Sequence, residues 1–244
     1  MIVLGIVFFI CFSGFIICER RARAPFVDLR LFRHAPFVIA NQLAVLANCA
    51  RFAVGLLVPY YVIAVLRYSA ATGGTLMLAA AMMTPLAAAL SGRLSDRFGT
   101  AGLSALGLAL EGLGLWLVSR LDAQSEYLLV AVALCIVGLG LGVFETPNMS
   151  FVMGSIPRHQ QGVAGSIANM MRPLGIVFGA TAWSMLFDAR REFYAKSPSG
   201  GGAGDLHGFV PAFQDAFVVA AAICVVAFLL SLFRLKKSWS STRV

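Results

Sequence analysis

Long apolar stretches alternate with short polar connections along almost the whole chain. Seven of these stretches approach the ~20 residues that a helix needs to cross a bilayer. They occupy residues 2–18, 37–66, 71–90, 100–121, 127–155, 162–187 and 212–233. The longest connection, residues 188–211, contains the run SPSGGGAG, which is typical of a flexible linker. The pattern predicts an all-α polytopic membrane protein with seven transmembrane helices.

Polar residues interrupt the fifth and sixth stretches at matching places. Glu145 and Asn148 are three residues apart on one, and Asn169 and Arg172 are three apart on the other, so each pair shares a helix face. Folding the chain back at residues 157–161 sets Asn148 level with Asn169 and Glu145 level with Arg172. At about 1.5 Å per residue, the charged pair lies roughly 15 Å from the turn. That depth is near the middle of a hydrocarbon core of about 30 Å.

Ionised side chains at such a depth are costly unless they pair or face water, and they commonly mark a transport path. The hairpin formed by residues 137–182 therefore predicts a functional site around Glu145 and Arg172. A second interpretation stays open at this point. Buried ion pairs can be purely structural, so the same two residues could form a latch between helices with no role in transport.

Two other stretches add polar residues at a similar depth. Asn41, Asn48 and Arg51 share one stripe of the second stretch, and a stripe of this kind usually faces the bundle interior or a water-filled cavity. Glu111 lies midway along the fourth stretch. The sequence thus predicts one polar layer whose two acids and two bases balance, so that each buried charge can find a partner. The members of that layer are Asn48, Arg51, Glu111, Glu145, Asn148, Asn169 and Arg172.

Prolines inside the predicted helices indicate local distortions. Pro59 is predicted to kink the second helix, because its ring cannot donate the usual backbone hydrogen bond. Pro147 is predicted to break the fifth helix locally, beside Glu145. Pro173 is predicted to kink the sixth helix beside Arg172.

Composition supports a lipid environment. Hydrophobic residues make up 59% of the chain and charged residues 12%, whereas soluble domains carry about 25% charged residues. The net charge of +8 could suggest nucleic-acid binding, but the basic residues cluster in short connections between apolar stretches. Twelve of them fall on the side of residues 19–35 and five on the other side. The positive-inside rule then predicts a cell (inner) membrane protein with its N-terminus outside and its C-terminus in the cytoplasm.

The sequence offers little catalytic or metal-binding chemistry. Its five cysteines lie in apolar stretches without a CxxC spacing, and its three histidines lie in predicted connections. The sequence contains neither GxSxG nor HExxH, and no carboxylate–histidine cluster falls inside the stretches. We therefore expect no enzyme activity, no metal and no cofactor.

Several segments resemble one family. The run GRLSDRFG at residues 92–99 resembles the G-x-L-a-D-r-x-G loop of major facilitator transporters, which joins the second and third helices of each six-helix half. The run PFVDLRLFR at residues 25–33, followed by Phe37, resembles the start of the second half of fourteen-helix drug:proton antiporters of the EmrB/QacA type. The runs PN at 147–148, GVAGS at 162–166 and MRPLG at 171–175 are similar to the same branch. The resemblance covers nearly the whole chain.

The resemblance implies a domain organisation. Residues 1–18 would be the last of two extra helices between the transporter halves, and residues 19–36 a cytoplasmic basic elbow. Residues 37–237 would form the six-helix C-terminal half, built as two inverted three-helix repeats, with residues 238–244 as a cytoplasmic tail. The second and fifth stretches would line the central cavity, placing Asn48, Arg51, Glu145 and Asn148 near substrate.

The resemblance also implies roles for the motif at residues 92–99. Asp96 would act at the cytoplasmic gate by pairing with a nearby arginine or helix end, and Gly92 and Gly99 would allow close approach. Arg93 and Arg97 complete the motif. Glu111 would stand on an outer helix, where it could form a latch towards Arg172 in competition with Glu145.

The function that the resemblance implies is proton-coupled efflux of amphipathic small molecules by alternating access. Glu145 would bind and release a proton as Arg51 or Arg172 changes partner. One six-helix half cannot rock against itself, so a separate chain, a homodimer partner or a lost upstream sequence would supply the N-terminal half. The alternative is a truncated, non-transporting half or an assembly subunit. The expected partners are the bilayer, protons and substrate, but no nucleic acid.

Overall fold

The computed structural model describes residues 29–195 and 208–241, and these residues are helical almost throughout. Six helices are long and apolar enough to cross a membrane. They are α1 (Ala35–Tyr60), α2 (Ala70–Phe98), α3 (Thr100–Val118), α4 (Tyr127–Gly154), α5 (Gln161–Ala195) and α6 (Phe209–Ser241). The predicted stretch at residues 2–18 lies outside the described residues, as does most of the elbow. The count of seven helices therefore stays a prediction.

The two ends of α1 follow from its prolines. Pro36 occupies the first turn, where a missing N–H has no intrahelical partner to lose. Pro59 lies inside the last turn, and the chain then continues as a π-helix over Tyr61–Val65. A wider π turn is one way for a helix to absorb a missing hydrogen bond. Next to Pro59, where the sequence predicts a kink, the chain changes from an α-helix to a π-helix.

Three local predictions were wrong. Residues 92–98 were expected to form a loop, but they are the last two turns of α2, and the helix stops at Gly99 with a φ of +83°. A φ in that region is unstrained only for glycine, which explains why the helix ends there. The local break predicted at Pro147 is also absent, because α4 is continuous from Tyr127 to Gly154. Helix α5 likewise extends to Ala195 rather than ending near residue 187.

The helices pack as two groups that share a common centre. Helix α4 packs mainly on α2 and α3, while α1 packs mainly on α5 and α6. Helices α3 and α6 pack on each other and join the groups, and α1 also contacts α4. A cavity between α1, α4 and α5 therefore lies where the two groups meet.

Glycine seams set how closely the helices approach. A Cβ on Gly140 of α4 would lie 2.2 Å from the backbone nitrogen of Glu111 on α3. A Cβ on Gly142 of α4 would lie 2.2 Å from the carbonyl oxygen of Thr84 on α2. On the other side of the bundle, a Cβ on Gly175 of α5 would lie 2.6 Å from a carbonyl oxygen of α1. Small residues of this kind allow close packing in lipid, where burial of apolar surface gives little driving force.

Aromatic packing closes the end of the bundle away from the α4–α5 connection. Tyr61 stacks on Phe213 with ring centroids 4.6 Å apart, and its hydroxyl donates to the carbonyl oxygen of Asp122. Gln214 Nε2 donates to the carbonyl oxygen of Leu121 at 2.9 Å. These contacts tie α1 and α6 to the α3–α4 connection.

Candidate functional site

A polar cavity of about 350 Å³ lies between α1, α4 and α5, in the half of the bundle nearest the α4–α5 connection. Its wall combines charged, amide and apolar side chains, since Ala44, Phe144 and Val152 also line it. Such a mixture suits an amphipathic ligand, because polar groups fix its orientation while apolar groups contact its rings or chains. The charged and amide residues of the wall are Asn41, Asn48, Glu145, Asn148, Asn169 and Arg172.

Glu145 and Arg172 face each other across the cavity. Arg172 Nη1 lies 3.7 Å from Glu145 Oε2, which is an ion pair but too long for a hydrogen bond. The Arg172 side chain is 54% exposed and the Glu145 side chain 27% exposed. The hairpin geometry read from the sequence predicts this juxtaposition. Because both groups reach open space, they can separate at much lower cost than a sealed pair.

The asparagines position the wall and leave acceptors within it. Asn148 Nδ2 donates to the carbonyl oxygen of Ala40 at 3.0 Å, which joins α4 to α1. Asn41 and Asn48 each donate to a carbonyl oxygen four residues earlier in α1. Among the described residues, no hydrogen-bond donor reaches the buried Oδ1 atom of Asn41 or of Asn48. Because both oxygens are buried, these unpartnered acceptors lie behind the cavity surface rather than on it.

Two residues of the predicted polar layer do not line this cavity. Arg51 follows Asn48 by one turn on α1, and Glu111 lies on α3 with no exposed surface. Neither carboxyl oxygen of Glu111 has a hydrogen-bond partner among the described residues, so the predicted latch from Glu111 to Arg172 is not formed in this structure. The charged groups within electrostatic range of Glu111 are Arg51 and Glu145.

The motif at residues 92–99 projects from the bundle end. Arg93, Asp96 and Arg97 are exposed on the last turns of α2, and within the described part of the chain Asp96 forms no ion pair. Gly92 faces Thr146 of α4, a cavity residue. The motif therefore lies beside the cavity end of the bundle, and the gating role of Asp96 stays a prediction.

Several residues that line the site were not predicted from the sequence. Thr146, Met149 and Ser150 line the cavity, and the helical positions next to Glu145 and Asn148 could have suggested this.

At the far end of α5, Tyr194 donates to Asp215 Oδ2 at 2.8 Å, and Arg190 Nε lies 3.5 Å from the same oxygen. No sequence pattern indicated that cluster, because its members come from two helices joined by a long linker.

The described residues contain no group of three or more His, Cys, Asp or Glu side chains that could hold a metal ion. The cavity wall supplies an ion pair, amide and hydroxyl groups and an apolar surface. Six membrane-crossing helices around a partly open polar cavity define the class to which this chain belongs, a multi-pass helical membrane protein.

Comparison with known proteins makes the class more specific. The profile described as "Major Facilitator Superfamily" matches residues 1–180 of the chain. The chain therefore belongs to the major facilitator superfamily.

Curated relatives agree with this membership. The chain is 30% identical over 240 residues to the riboflavin transporter RibZ of Clostridioides difficile, covering 96% of this chain and 50% of that protein. It is 27% identical to the tetracenomycin C resistance and export protein of Streptomyces glaucescens, covering 74% of this chain and 34% of the relative. It is 30% identical to the quinolone resistance protein NorB of Staphylococcus aureus, covering 70% and 37%. The chain thus spans a third to a half of the length of these relatives.

A solved structure shows the same fold. The inward-open xylose transporter XylE of E. coli superposes with a TM-score of 0.55 at 19% sequence identity. The match covers 81% of this chain and 47% of the xylose transporter. The arrangement of helices in this chain is thus one that occurs in about half of that xylose transporter.

Proposed function

We propose that this chain is the C-terminal half of a proton-coupled efflux transporter, of the fourteen-helix drug:proton antiporter branch, that works by alternating access. The observation that carries the proposal is the cavity between α1, α4 and α5, with the Glu145–Arg172 ion pair in its wall. Ionisable residues inside a membrane protein generally line ion or substrate paths. The relatives named for transport, export or drug resistance support the same function.

The six helices form two inverted three-helix repeats in this proposal. The packing supports it, because the main contacts are preserved when α1 is exchanged with α4, α2 with α5 and α3 with α6. The α4–α2 and α1–α5 contacts then become equivalent, as do the α4–α3 and α1–α6 contacts. In transporters built from such repeats, the binding site lies at the repeat interface, which is where the cavity is found.

A second half completes the cavity. The chain spans about half of the riboflavin transporter and of the xylose transporter, and alternating access requires one half to rock against another. A separate chain, a second copy or further sequence of the same protein would supply that half. The partner would cover the exposed side of the cavity, where Arg172 is 54% exposed.

The proton cycle acts through the ion pair. A proton from water adds to Glu145 Oε2, and the neutral carboxyl no longer attracts the Arg172 guanidinium 3.7 Å away. Arg172 is then free to interact with the substrate or with the partner half. Release of the proton restores the carboxylate and the ion pair. Because the pair is present in one protonation state and absent in the other, protonation biases the equilibrium between the two access states.

The substrate class is an amphipathic small molecule. The relatives are named for riboflavin, tetracenomycin C and quinolone. The cavity places the partly exposed carboxylate of Glu145 and the hydroxyl groups of Thr146 and Ser150 beside apolar wall residues. A fused-ring molecule with hydrogen-bond donors at one edge fits that wall.

At the bundle end, Asp96 acts as the gate residue in this proposal. Its exposure at the end of α2, beside the cavity residue Thr146, leaves it accessible to a basic residue or helix end of the partner half. Contact in one access state and separation in the other would let the motif at residues 92–99 select between states. The basic side of the bundle, which carries this motif, faces the cytoplasm of the cell membrane.

Proton-driven efflux from cells or inverted vesicles tests this function. The protein should be expressed together with the coding sequences that adjoin it in its native gene context. The substrates should be riboflavin and a fluorescent quinolone. Glu145→Gln removes the titrating group and keeps the side-chain length. Glu126→Gln is the matched control, because Glu126 is exposed before α4 and its side chain makes no capping hydrogen bond.

We expect the wild-type protein to export at least one substrate, and a protonophore to abolish the export. Glu145→Gln should reduce the gradient-driven rate by about 10²-fold, a typical loss when a proton-transfer group is removed. Glu126→Gln should export at the wild-type rate. Full export by Glu145→Gln would remove Glu145 from the mechanism. A wild-type protein that inserts but exports nothing would favour a non-transporting membrane half.

A further inference from the structure

Glu111 is the most deeply buried of the carboxyl groups in the described part of the chain. It lies on α3 with no exposed surface, and both of its oxygens are buried without a hydrogen-bond partner. A carboxylate in such a place carries its full charge without water, donor or contact cation. That state is strongly unfavourable, as it is for other unpaired buried ions. The neutral carboxylic acid is the form that fits this conformation.

Arg51 on α1 carries a second buried polar atom near Glu111. Arg51 Nε is buried and also has no hydrogen-bond partner among the described residues. Arg51 lies within electrostatic range of Glu111, yet no ion pair joins them. The other titratable groups that face Glu111 are Glu145 from α4 and Cys224 from α6. Arg51 is thus the cation available to Glu111 if it loses its proton.

The α3–α4 seam holds the backbone of Glu111 close to α4. A Cβ on Gly140 of α4 would lie 2.2 Å from the Glu111 backbone nitrogen and 2.9 Å from its Cβ. A Cβ on Gly112, the next residue of α3, would lie 3.1 Å from Cys224 Cβ of α6. Because α3 is packed this closely on its neighbours, we expect a change of partner for Glu111 to come from movement of the Arg51 side chain or of α1.

Asn48 connects this buried region with the cavity. It is 1% exposed, lines the cavity, and lies one turn before Arg51 on the same stripe of α1. Its Oδ1 atom is buried and unpartnered, as are the Glu111 oxygens. Unsatisfied polar groups in one region are the usual partners of trapped water. The polar stripe of α1 thus runs from the cavity towards Glu111, and water bound along it would complete a proton path.

We propose that Glu111 is a second proton-carrying group of the transporter, which exchanges its proton with the cavity along the Asn48–Arg51 stripe. On release, the Oε–H bond breaks, the proton passes to cavity water, and the carboxylate accepts a hydrogen bond from the Arg51 guanidinium. On uptake, a proton from cavity water re-forms the neutral acid and Arg51 is released. The inference rests on the proposed transport function and adds a proton site outside the cavity wall.

The two carboxyls then have different roles. Glu145 lies in open space with Arg172 as its contact cation, so its charge is compensated whenever the pair is closed. Glu111 has no contact cation in this conformation. A conformational change that brings Arg51 into contact favours the carboxylate, and the reverse change favours the acid. Protonation of Glu111 is therefore coupled to the position of α1, one of the helices that line the cavity.

Infrared spectroscopy of the purified full chain in lipid tests the proton on Glu111 without requiring transport. A protonated carboxyl has a C=O stretch distinct from the carboxylate bands. We expect this band at neutral pH in wild type and in Glu145→Gln, and its loss in Glu111→Gln. Glu111→Met, which has a similar length and no charge, keeps the test valid if Glu111→Gln does not fold. An identical protonated-carboxyl band in wild type and in the folded Glu111 variant would overturn the proposal.

Transport assays then test the coupling. Glu111→Gln should lose proton-driven efflux down to the leak of empty vesicles, while substrate exchange without a gradient continues. Glu126→Gln should retain both activities. Gradient-driven efflux at the wild-type rate in Glu111→Gln would overturn the coupling role while leaving the proposed function intact. If the wild type itself moves no substrate, the proposed function fails, and with it the coupling role of Glu111. The infrared result still decides whether Glu111 holds a proton.

Discussion

The two acidic side chains Glu145 and Glu111 have opposite surroundings in this bundle. Glu145 is partly exposed beside Arg172, whereas Glu111 is buried between helices and its carboxyl oxygens have no hydrogen-bond partner among the described residues. The sequence placed both acids in one balanced polar layer. Spacing along the hairpin was sufficient to predict that Glu145 meets Arg172. It could not separate Glu111 from the cavity, because the helix–helix contacts that bury α3 depend on the packing of distant segments.

The Gly140 position is where a single added carbon should have the largest structural effect. Gly140→Ala places a methyl group 2.2 Å from the Glu111 backbone nitrogen, so α3 and α4 must move apart. We expect destabilisation by about 1–3 kcal/mol, the usual cost of overpacking. Unfolding in mixed micelles by denaturing detergent measures it. Gly55→Ala is the control, since its added Cβ meets nothing within 4 Å. Equal stability of the two variants would contradict the close α3–α4 seam.

At the scale of elements, the sequence predicted the existence of the six described helices better than their ends. Apolar length identifies a crossing helix, but residues 92–98 are polar enough to suggest a loop while the structure continues α2 to Phe98. The predicted break at Pro147 failed for a related reason. A membrane helix can tolerate proline when its neighbours hold it in place, and α4 is packed between α2 and α3.

The α1–α5 seam combines small residues with one buried polar contact. Gly175 and Gly179 lie against the backbone of α1, and Trp183, one turn further along α5, is 1% exposed. Trp183 Nε1 donates to the carbonyl oxygen of Cys49 at 2.7 Å. These three residues are spaced by four, so they share one face of α5. The glycine spacing was visible in the sequence, but nothing indicated the partner of the tryptophan.

Trp183→Phe should weaken the contact between α1 and α5 without leaving a large cavity there. The phenyl ring retains much of the packing, while the hydrogen bond to Cys49 is lost, at a cost of about 1 kcal/mol. Detergent-induced unfolding measures the change. Trp116→Phe also removes an indole N–H, but from a ring that is 43% exposed. A loss of stability as large in Trp116→Phe as in Trp183→Phe would rule out a specific contribution from the buried bond.

For the whole molecule, the distribution of basic residues predicts the orientation of the bundle in the membrane. The helix packing predicts the side of the membrane nearest to the cavity. The α4–α5 connection and the motif at residues 92–99 lie at the end to which the sequence pattern assigns twelve of the nineteen basic residues. The positive-inside rule predicts that this end is cytoplasmic. The cavity lies in the same half of the bundle, so in that orientation its polar wall would be nearest the cytoplasmic side.

Thiol labelling in intact cells tests this orientation. In a background without the five native cysteines, His159→Cys and Gln124→Cys each place a thiol at an exposed position. His159 belongs to the α4–α5 connection and Gln124 to the α3–α4 connection. An impermeant reagent added outside should label Gln124→Cys and spare His159→Cys until the membrane is opened. The opposite pattern would show that the bundle is inserted the other way.

If the chain transports as proposed, water and substrate must reach the polar cavity between α1, α4 and α5 within the membrane. Ala44→Cys places a small thiol on the cavity wall, about 14 Å along α1 from its start. Val225→Cys, on a 53% exposed position of α6, is the control on the lipid-facing surface. Both variants are labelled in native membranes with a water-soluble thiol reagent, with and without substrate.

We expect the reagent to modify Ala44→Cys, substrate to slow that modification, and Val225→Cys to remain unlabelled under the same conditions. Resistance of Ala44→Cys to labelling with and without substrate, or labelling that substrate does not affect, would contradict a substrate path through this cavity.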